Sequence, residues 1–291
     1  MRPEDIAWSP GAFSRRGGPD DVRLQWLGAA GFALEHRGHV LLVDPYVTRA
    51  PLVRALLTRL RPDLDAIARY VPRADAIIVS HTHFDHVLDV PEIARRSGAR
   101  VFGSRSAAAL CLVSGVSADR VEIVEREAGV APPEHEVGPF RLRFVPSAHS
   151  RLVLGHVPFP GEIADCADIP MHAGAYRCGA VFGLEIRVAG RVVYHMGSAE
   201  LIDASVRLRN VDLLLLCVAG WTASFDLPER VGRCLAPGAV LLSHWDDFLR
   251  PMREPARSLP AMQMPRLVER LSVAVRGVKV GTLPLLGELW L

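Results

Sequence analysis

The sequence predicts a mixed α/β fold with two sheets. Short strand-like runs separated by turn residues open the chain, continuous apolar runs recur almost to its end, and helix patterns lie between them. Residues 22–27, 31–36 and 39–44 are three such runs, divided by Gly-Ala-Ala and Arg-Gly-His, and they read as an antiparallel meander. A short helix follows at 51–60. Residues 74–80 then form a continuous apolar strand that ends immediately before a cluster of histidines. Pro91-Glu92 marks a helix start with Asp89 or Val90 at the cap, because proline at the first helical positions loses no hydrogen bond. Further strands are expected at 121–125, 140–145, 181–188, 191–195, 211–218, 239–243 and 278–284, with helices at 104–113, 228–235 and 262–276. Between 151 and 179 the periodicity disappears and Gly, Pro, His and two cysteines accumulate, which suggests a lid or substrate loop inserted in one domain spanning 1–291.

Composition narrows the partners. With 34 basic and 32 acidic residues the formal charge is +2, and the arginines are scattered, so no face is marked for a nucleic-acid backbone. The N-terminal residues lack an apolar core of signal-peptide length, and the greasiest stretch, 211–219, falls short of the ~20 residues of a membrane-spanning helix. Five cysteines without a CxxC pair suit a reducing compartment. The expectation is a cytoplasmic protein with no membrane span, acting on a small molecule; nothing in it fixes an oligomeric state.

The chemistry concentrates in His81-Thr82-His83-Phe84-Asp85-His86. Three imidazoles and a carboxylate on one turn after a buried strand are donors suited to Zn(II), Mn(II) or Fe(II), and the i, i+2 spacing lets His81 and His83 converge on one ion while Asp85 and His86 face a second.

With that motif the sequence resembles the metallo-β-lactamase-fold hydrolase superfamily, whose HxHxDH signature is matched by His81, His83, Asp85 and His86. The resemblance runs from about Leu24 to His244 and includes the Trp26–Phe32 and Leu42–Pro45 segments, Ser147-Ala148-His149-Ser150 where the family carries its third histidine, and Ser243-His244 where it supplies its last ligand. It implies a four-layer αββα sandwich of two mixed sheets flanked by helices, with one or two zinc ions (manganese or iron as alternatives) held by His81, His83, His149, Asp85, His86 and His244. It also implies hydrolysis of an ester-type bond, a phosphodiester or a lactone, with Asp85 catalytic, orienting the attacking water or accepting its proton. One departure is that Gly197-Ser198 stands where the family has Gly-Asp, so the bridging carboxylate is replaced by a hydroxyl; Glu200 and His195 are candidates to compensate, and Asp44 is a candidate partner for a ligand histidine. A single metal still brings the pKa of water from ~15.7 towards ~7, so hydrolysis survives the substitution. The rivals are a non-catalytic metal- or ligand-binding module, an Fe(II) oxygenase on the same ligands and, behind them, a nuclease.

The remaining histidines, His36, His39, His135, His156 and His172, are read as solvated or structural. Cys166 and Cys178 are read as free thiols, and Cys111, Cys217 and Cys234 as small core residues. Pro158-Phe159 with Ile163, Ile169, Met171 and Tyr176 is a candidate apolar wall for substrate.

Overall fold

The computed structural model describes residues 1–9, 11–13, 18, 20–71, 73–127, 130, 132–152, 154–163, 168–260 and 262–291. Among these, the first half of the chain builds one sheet. Strands β1 (Arg23–Gly28), β2 (Gly31–His36) and β3 (His39–Val43) form the expected antiparallel meander. β4 (Ala76–Ile78), β5 (Arg100–Gly103) and β6 (Val121–Ile123) continue the sheet in parallel from β3, and the C-terminal β14 (Glu288–Trp290) closes its far edge on β1. The second sheet runs from β7 (His135–Val137) through β8 (Phe140–Ser147), β9 (Val181–Val188), β10 (Arg191–Met196), β11 (Leu213–Cys217) and β12 (Ala239–Ser243) to β13 (Lys279–Gly281). Strands β10 to β13 are mutually parallel.

Alternation along the strands decides the layers. In β3 and β4, Leu41, Val43, Ala76 and Ile78 enter the core between the sheets, while Leu42, Ile77 and the following Val79 enter a second core. Helices α1 (Leu52–Leu57), α2 (Leu64–Tyr70), α3 (Phe84–Val87), α4 (Val90–Ser97) and α5 (Arg105–Val113) lie on that outer side, and α6 (Leu227–Cys234) and α7 (Met264–Ala274) cover the second sheet. Both faces of these strands are buried, which explains why they read as continuous apolar runs rather than alternating ones. The result is the αββα sandwich.

Five strands and α-helices are additional to the sequence expectation: α2, α3, β5, β7 and β14, each seven residues or shorter. The helix expected at 51–60 is confined to α1, with Thr58 already extended. Asp89 caps α4, but its side chain serves elsewhere, accepting hydrogen bonds from the backbone of Val47 (2.7 Å) and Thr48 (2.8 Å) and from the Thr48 hydroxyl. Burial pushes its carboxyl up to about 6 despite these three donors.

That shift sets a pH window. A carboxyl whose pKa is higher in the folded than in the unfolded chain favours folding fully below about 4, and its contribution is lost as pH rises through about 6, a swing of roughly 3 kcal/mol for a shift of this size. Chemical denaturation of the native chain and Asp89→Asn from pH 7 to pH 4 is expected to show their stability difference moving in favour of the native chain as pH falls.

Candidate metal centre

The site lies where strands of both sheets end. Asp44 follows β3, Ser80 and His81 follow β4, His149 follows β8, Gly197 and Ser198 follow β10, and His244 follows β12. Carboxyl ends of parallel strands gathered at one edge form the usual crevice of open α/β sheets. The short α3 supplies Asp85 and His86, its first turn closed by hydrogen bonds from the His86 and Val87 amides to the His83 carbonyl.

Six side chains gather into two groups that could each hold a metal ion: His81, His83 and His149, and Asp85, His86 and His244, with the donor atoms in each group within 4.8 Å of one another. Hydrogen bonds behind the rings fix which nitrogen each offers. His83 Nε2 donates to the Pro158 carbonyl (2.9 Å), leaving Nδ1 free, and His149 Nδ1 donates to the Ser150 carbonyl (2.8 Å), leaving Nε2 free. His86 Nδ1 donates to Asp44 Oδ2 (2.8 Å). The Ser80 hydroxyl donates to that same oxygen (2.5 Å) and so accepts from His81 Nδ1 (3.2 Å). The lone pairs of His81 Nε2 and His83 Nδ1 then face each other at 3.1 Å. Two acceptors held this close with their protons on the far side of each ring fit a cation between them, so the residues suit a metal.

Electrostatics agree. Burial, reinforced by the neighbouring imidazoles, pushes His81 well down and His83 down, and takes His149 to about 4, so all three rings are neutral and available as donors near pH 7. Burial opposes the charge on Asp85, yet His86 and the His244 Nε2 contact at 3.1 Å together hold its carboxyl below the usual range. His86 is raised: Asp44 and Asp85 outweigh its burial.

Of the other candidates, Asp44 is buried and bonded to both Ser80 and His86, behind the donors. Ser198 Oγ accepts from the Ser150 amide (3.0 Å), tying down the loop that carries His149. Glu200 is turned to Arg230 (2.6 Å) and stands outside both donor groups. His195 also stands outside them, fully buried, with Nε2 donating to the Ala30 carbonyl (2.9 Å) and its ring edge-on to Phe32; its pKa is pushed down by burial. His135 pairs with Glu122 and His36 Nδ1 bonds the Asp21 carbonyl. Cys178 is a buried free thiol, and Cys166 lies outside the described residues.

Above the donors lies a cavity of about 200 Å³ whose walls are mostly apolar: Phe84, Leu152, Pro158, Phe159, Cys217, Phe248, Leu259 and Met262. Only Pro158 and Phe159 of the expected apolar wall face it. Ile163, Met171 and Tyr176 are instead buried in the outer core, and Ile169 lines a separate groove. Phe248, edge-on to His244 at 5.1 Å, carried no sequence signal, because it lies on an irregular stretch after β12.

Two mixed sheets with histidines and carboxylates converging at their strand ends define a metal-binding sandwich of the hydrolase type. Residues 39–245 match the family described as the beta-lactamase superfamily domain. A UPF0173 metal-dependent hydrolase of Thermoplasma volcanium is 31% identical over 235 residues, covering 78% of this chain and 85% of that protein. Among solved structures, Igni18, a metallo hydrolase of Ignicoccus hospitalis, aligns with a TM-score of 0.58 at 18% identity over 93% of this chain and 98% of its own. CmlA, a diiron β-hydroxylase of Streptomyces venezuelae, aligns at 0.57 and 17% over 95% of this chain and 55% of its own. These two likenesses carry the fold alone. The chain belongs to the beta-lactamase superfamily and is a metal-dependent hydrolase of the metallo-β-lactamase fold.

Gly197 tests how tightly the site is supported. A Cβ there would overlap the Ser80 hydroxyl and lie 2.9 Å from Asp44 Oδ2. Gly197→Ala is expected to lower stability by ~1–3 kcal/mol in denaturant unfolding, the range for overpacking a filled interior, and to weaken metal retention on dialysis.

Proposed function

We propose that the chain hydrolyses an ester-type bond, a phosphodiester or a lactone, in a small molecule, using zinc held by His81, His83 and His149 and by Asp85, His86 and His244. The observation that supports this reading is the pair of three-donor groups whose ring nitrogens are oriented by fixed hydrogen bonds at the floor of an apolar-walled cavity. When bound, zinc supplies Lewis acidity that brings the pKa of water towards ~7 and polarises the scissile bond.

The chain's own residues do the rest. Asp44 holds His86 directly and His81 through Ser80, and the Pro158 and Ser150 carbonyls hold His83 and His149, so the donors need no reorganisation when loaded. Asp85, its carboxyl held ionised beside His86 and His244, orients the attacking water or accepts its proton. Phe84, Phe159 and Phe248 exclude bulk water from the reacting bond and receive the apolar part of the substrate. Ser198 supplies a hydroxyl and no carboxylate, so a second ion would be held by Asp85, His86 and His244.

Elemental mass spectrometry on the purified chain is expected to give zinc near two equivalents, with both His83→Ala and His244→Ala losing metal and hydrolysis of lactones or bis-(p-nitrophenyl) phosphate falling at least ~100-fold in each. One equivalent lost only in His83→Ala would reduce the proposal to a mononuclear site. Iron with no hydrolysis would replace it with redox chemistry, and a chain that refuses every metal would end it.

A further inference from the structure

The cavity over the donors is selective in what it offers a substrate. Apart from the donor side chains themselves, no side chain lining it carries a charge, a hydroxyl or an amide. The Cys217 thiol comes nearest, and a thiol is a weak donor. Among the lining residues, the Pro158 carbonyl already accepts from His83 Nε2 (2.9 Å) and the Ala219 carbonyl from the Ser150 hydroxyl (3.3 Å). An aromatic ring stands beside each donor group: Phe159 lies edge-on to His83 with centroids 6.3 Å apart, and Phe248 edge-on to His244 at 5.1 Å. Leu259 and Met262 continue the wall. Their backbones are held by the bond from the Leu259 amide to the Trp245 carbonyl (2.8 Å) and from the Trp221 indole to the Met262 carbonyl (2.7 Å). At about 200 Å³ the cavity has the room of roughly seven waters and falls below the ~300–1,000 Å³ of pockets that enclose drug-sized ligands. Leu152 and Phe159, 47% and 44% exposed, carry its apolar lining out to solvent.

A substrate's polar contacts with side chains are therefore concentrated at the donors. Whatever extends beyond the reacting bond is either hydrocarbon or gives up hydrogen bonds to water without replacement, at a cost. A nucleotide or sugar phosphodiester carries hydroxyls, ring nitrogens or further phosphates on the groups flanking its phosphorus, where these walls offer Phe159 and Phe248. A carboxylic ester fits them. It is uncharged, its polar group is the reacting group itself, and its substituents can be alkyl. We propose that the substrate is a neutral carboxylic ester bearing an alkyl substituent, a lactone or its open-chain equivalent, and that Phe248 and Met262 select this substituent. The inference deepens the hydrolase reading above and rests on it. In the reaction the oxygen of water bonds to the ester carbonyl carbon, and the bond from that carbon to the ester oxygen breaks. One proton of the water goes to the departing oxygen and the other to solvent, leaving an alcohol and a carboxylate, or from a lactone a single hydroxy carboxylate.

The test presents the zinc-loaded full chain with γ-lactones of increasing tail length, from γ-valerolactone to γ-nonalactone, and with bis-(p-nitrophenyl) phosphate. A buried methylene is worth about fourfold, so kcat/KM for γ-nonalactone is expected at least ~50-fold above that for γ-valerolactone, with the phosphodiester left intact. Isothermal titration gives a readout free of turnover. There, 3-pentylcyclopentanone, a carbocyclic isostere of γ-nonalactone that water does not open, should bind at least ~10-fold more tightly than 3-methylcyclopentanone. Met262→Trp, which fills the wall, should lower kcat/KM for γ-nonalactone at least ~10-fold more than for γ-valerolactone with zinc content unchanged. Phe248→Ala, which opens the wall, should move the preferred tail to γ-undecalactone. The proposal is overturned by rates and ketone affinities that ignore tail length, or by a Met262→Trp chain that keeps the native preference. Hydrolysis of the phosphodiester and not of the lactones overturns it while leaving the hydrolase reading standing; hydrolysis of neither removes that reading as well.

Discussion

The motif side of the site depends on one buried carboxylate. Asp44 stands at the end of β3, next to β4 in parallel register, so its oxygens reach the Ser80 amide (2.7 Å) and hydroxyl and the His86 ring. A fully buried carboxylate is costly unless its lone pairs are filled, and here they are filled by groups whose positions matter to the donors. The strand end, the motif loop and α3 are thereby fixed relative to one another. Gly197 comes from the other sheet to within contact of the same Ser80, so the two layers meet at that point with no room for a side chain.

A second buried charge orders the opposite wall. Arg49 and Asp246 form an ion pair with both side chains removed from water, and Asp246 also accepts from the Ala29 amide (3.0 Å). The Ala29 carbonyl in turn accepts from the His244 amide (2.9 Å). A pair of this kind adds little net stability against an apolar replacement, but losing one partner strands the other charge. Its contribution is positional: it locks the β1–β2 turn to the segment that presents His244.

How much of this was legible follows from what each element needs. β4, β11 and β12 are buried on both faces, so apolar composition alone marks them. The donors were legible because His81, His83, Asp85 and His86 crowd six positions, and His149 and His244 followed from resemblance to a family with the same strand ends. The missed elements are short ones whose residues carry mixed signals: β7 spans three residues with one buried side chain, and β14 exists because β1 offers it an edge 265 positions away in the chain at the Arg23–Glu288 pair. Glu200 shows the limit in the other direction. Proximity in sequence to Ser198 made it a candidate, yet its carboxylate is taken by Arg230, a partner thirty residues on that no local pattern announces.

The backbone completes the argument. Asp44 and His244 both adopt positive φ, 44° and 57°, a conformation that L-residues enter at a cost. Such strain persists only where the surroundings over-determine it. At Asp44 these surroundings are the Ile78 carbonyl, which receives its amide at 2.9 Å, together with Ser80 and His86; at His244 they are Ala29 and the Phe248 ring. Both strained residues follow a parallel strand of a different sheet, and both turn the chain sharply at the edge where the sheets meet. An extended backbone at either position would carry the side chain on along its strand. The left-handed turn sets His244 against Asp85 and Asp44 against His86, so the fold spends conformational energy at the two points where the paired donor groups are drawn together.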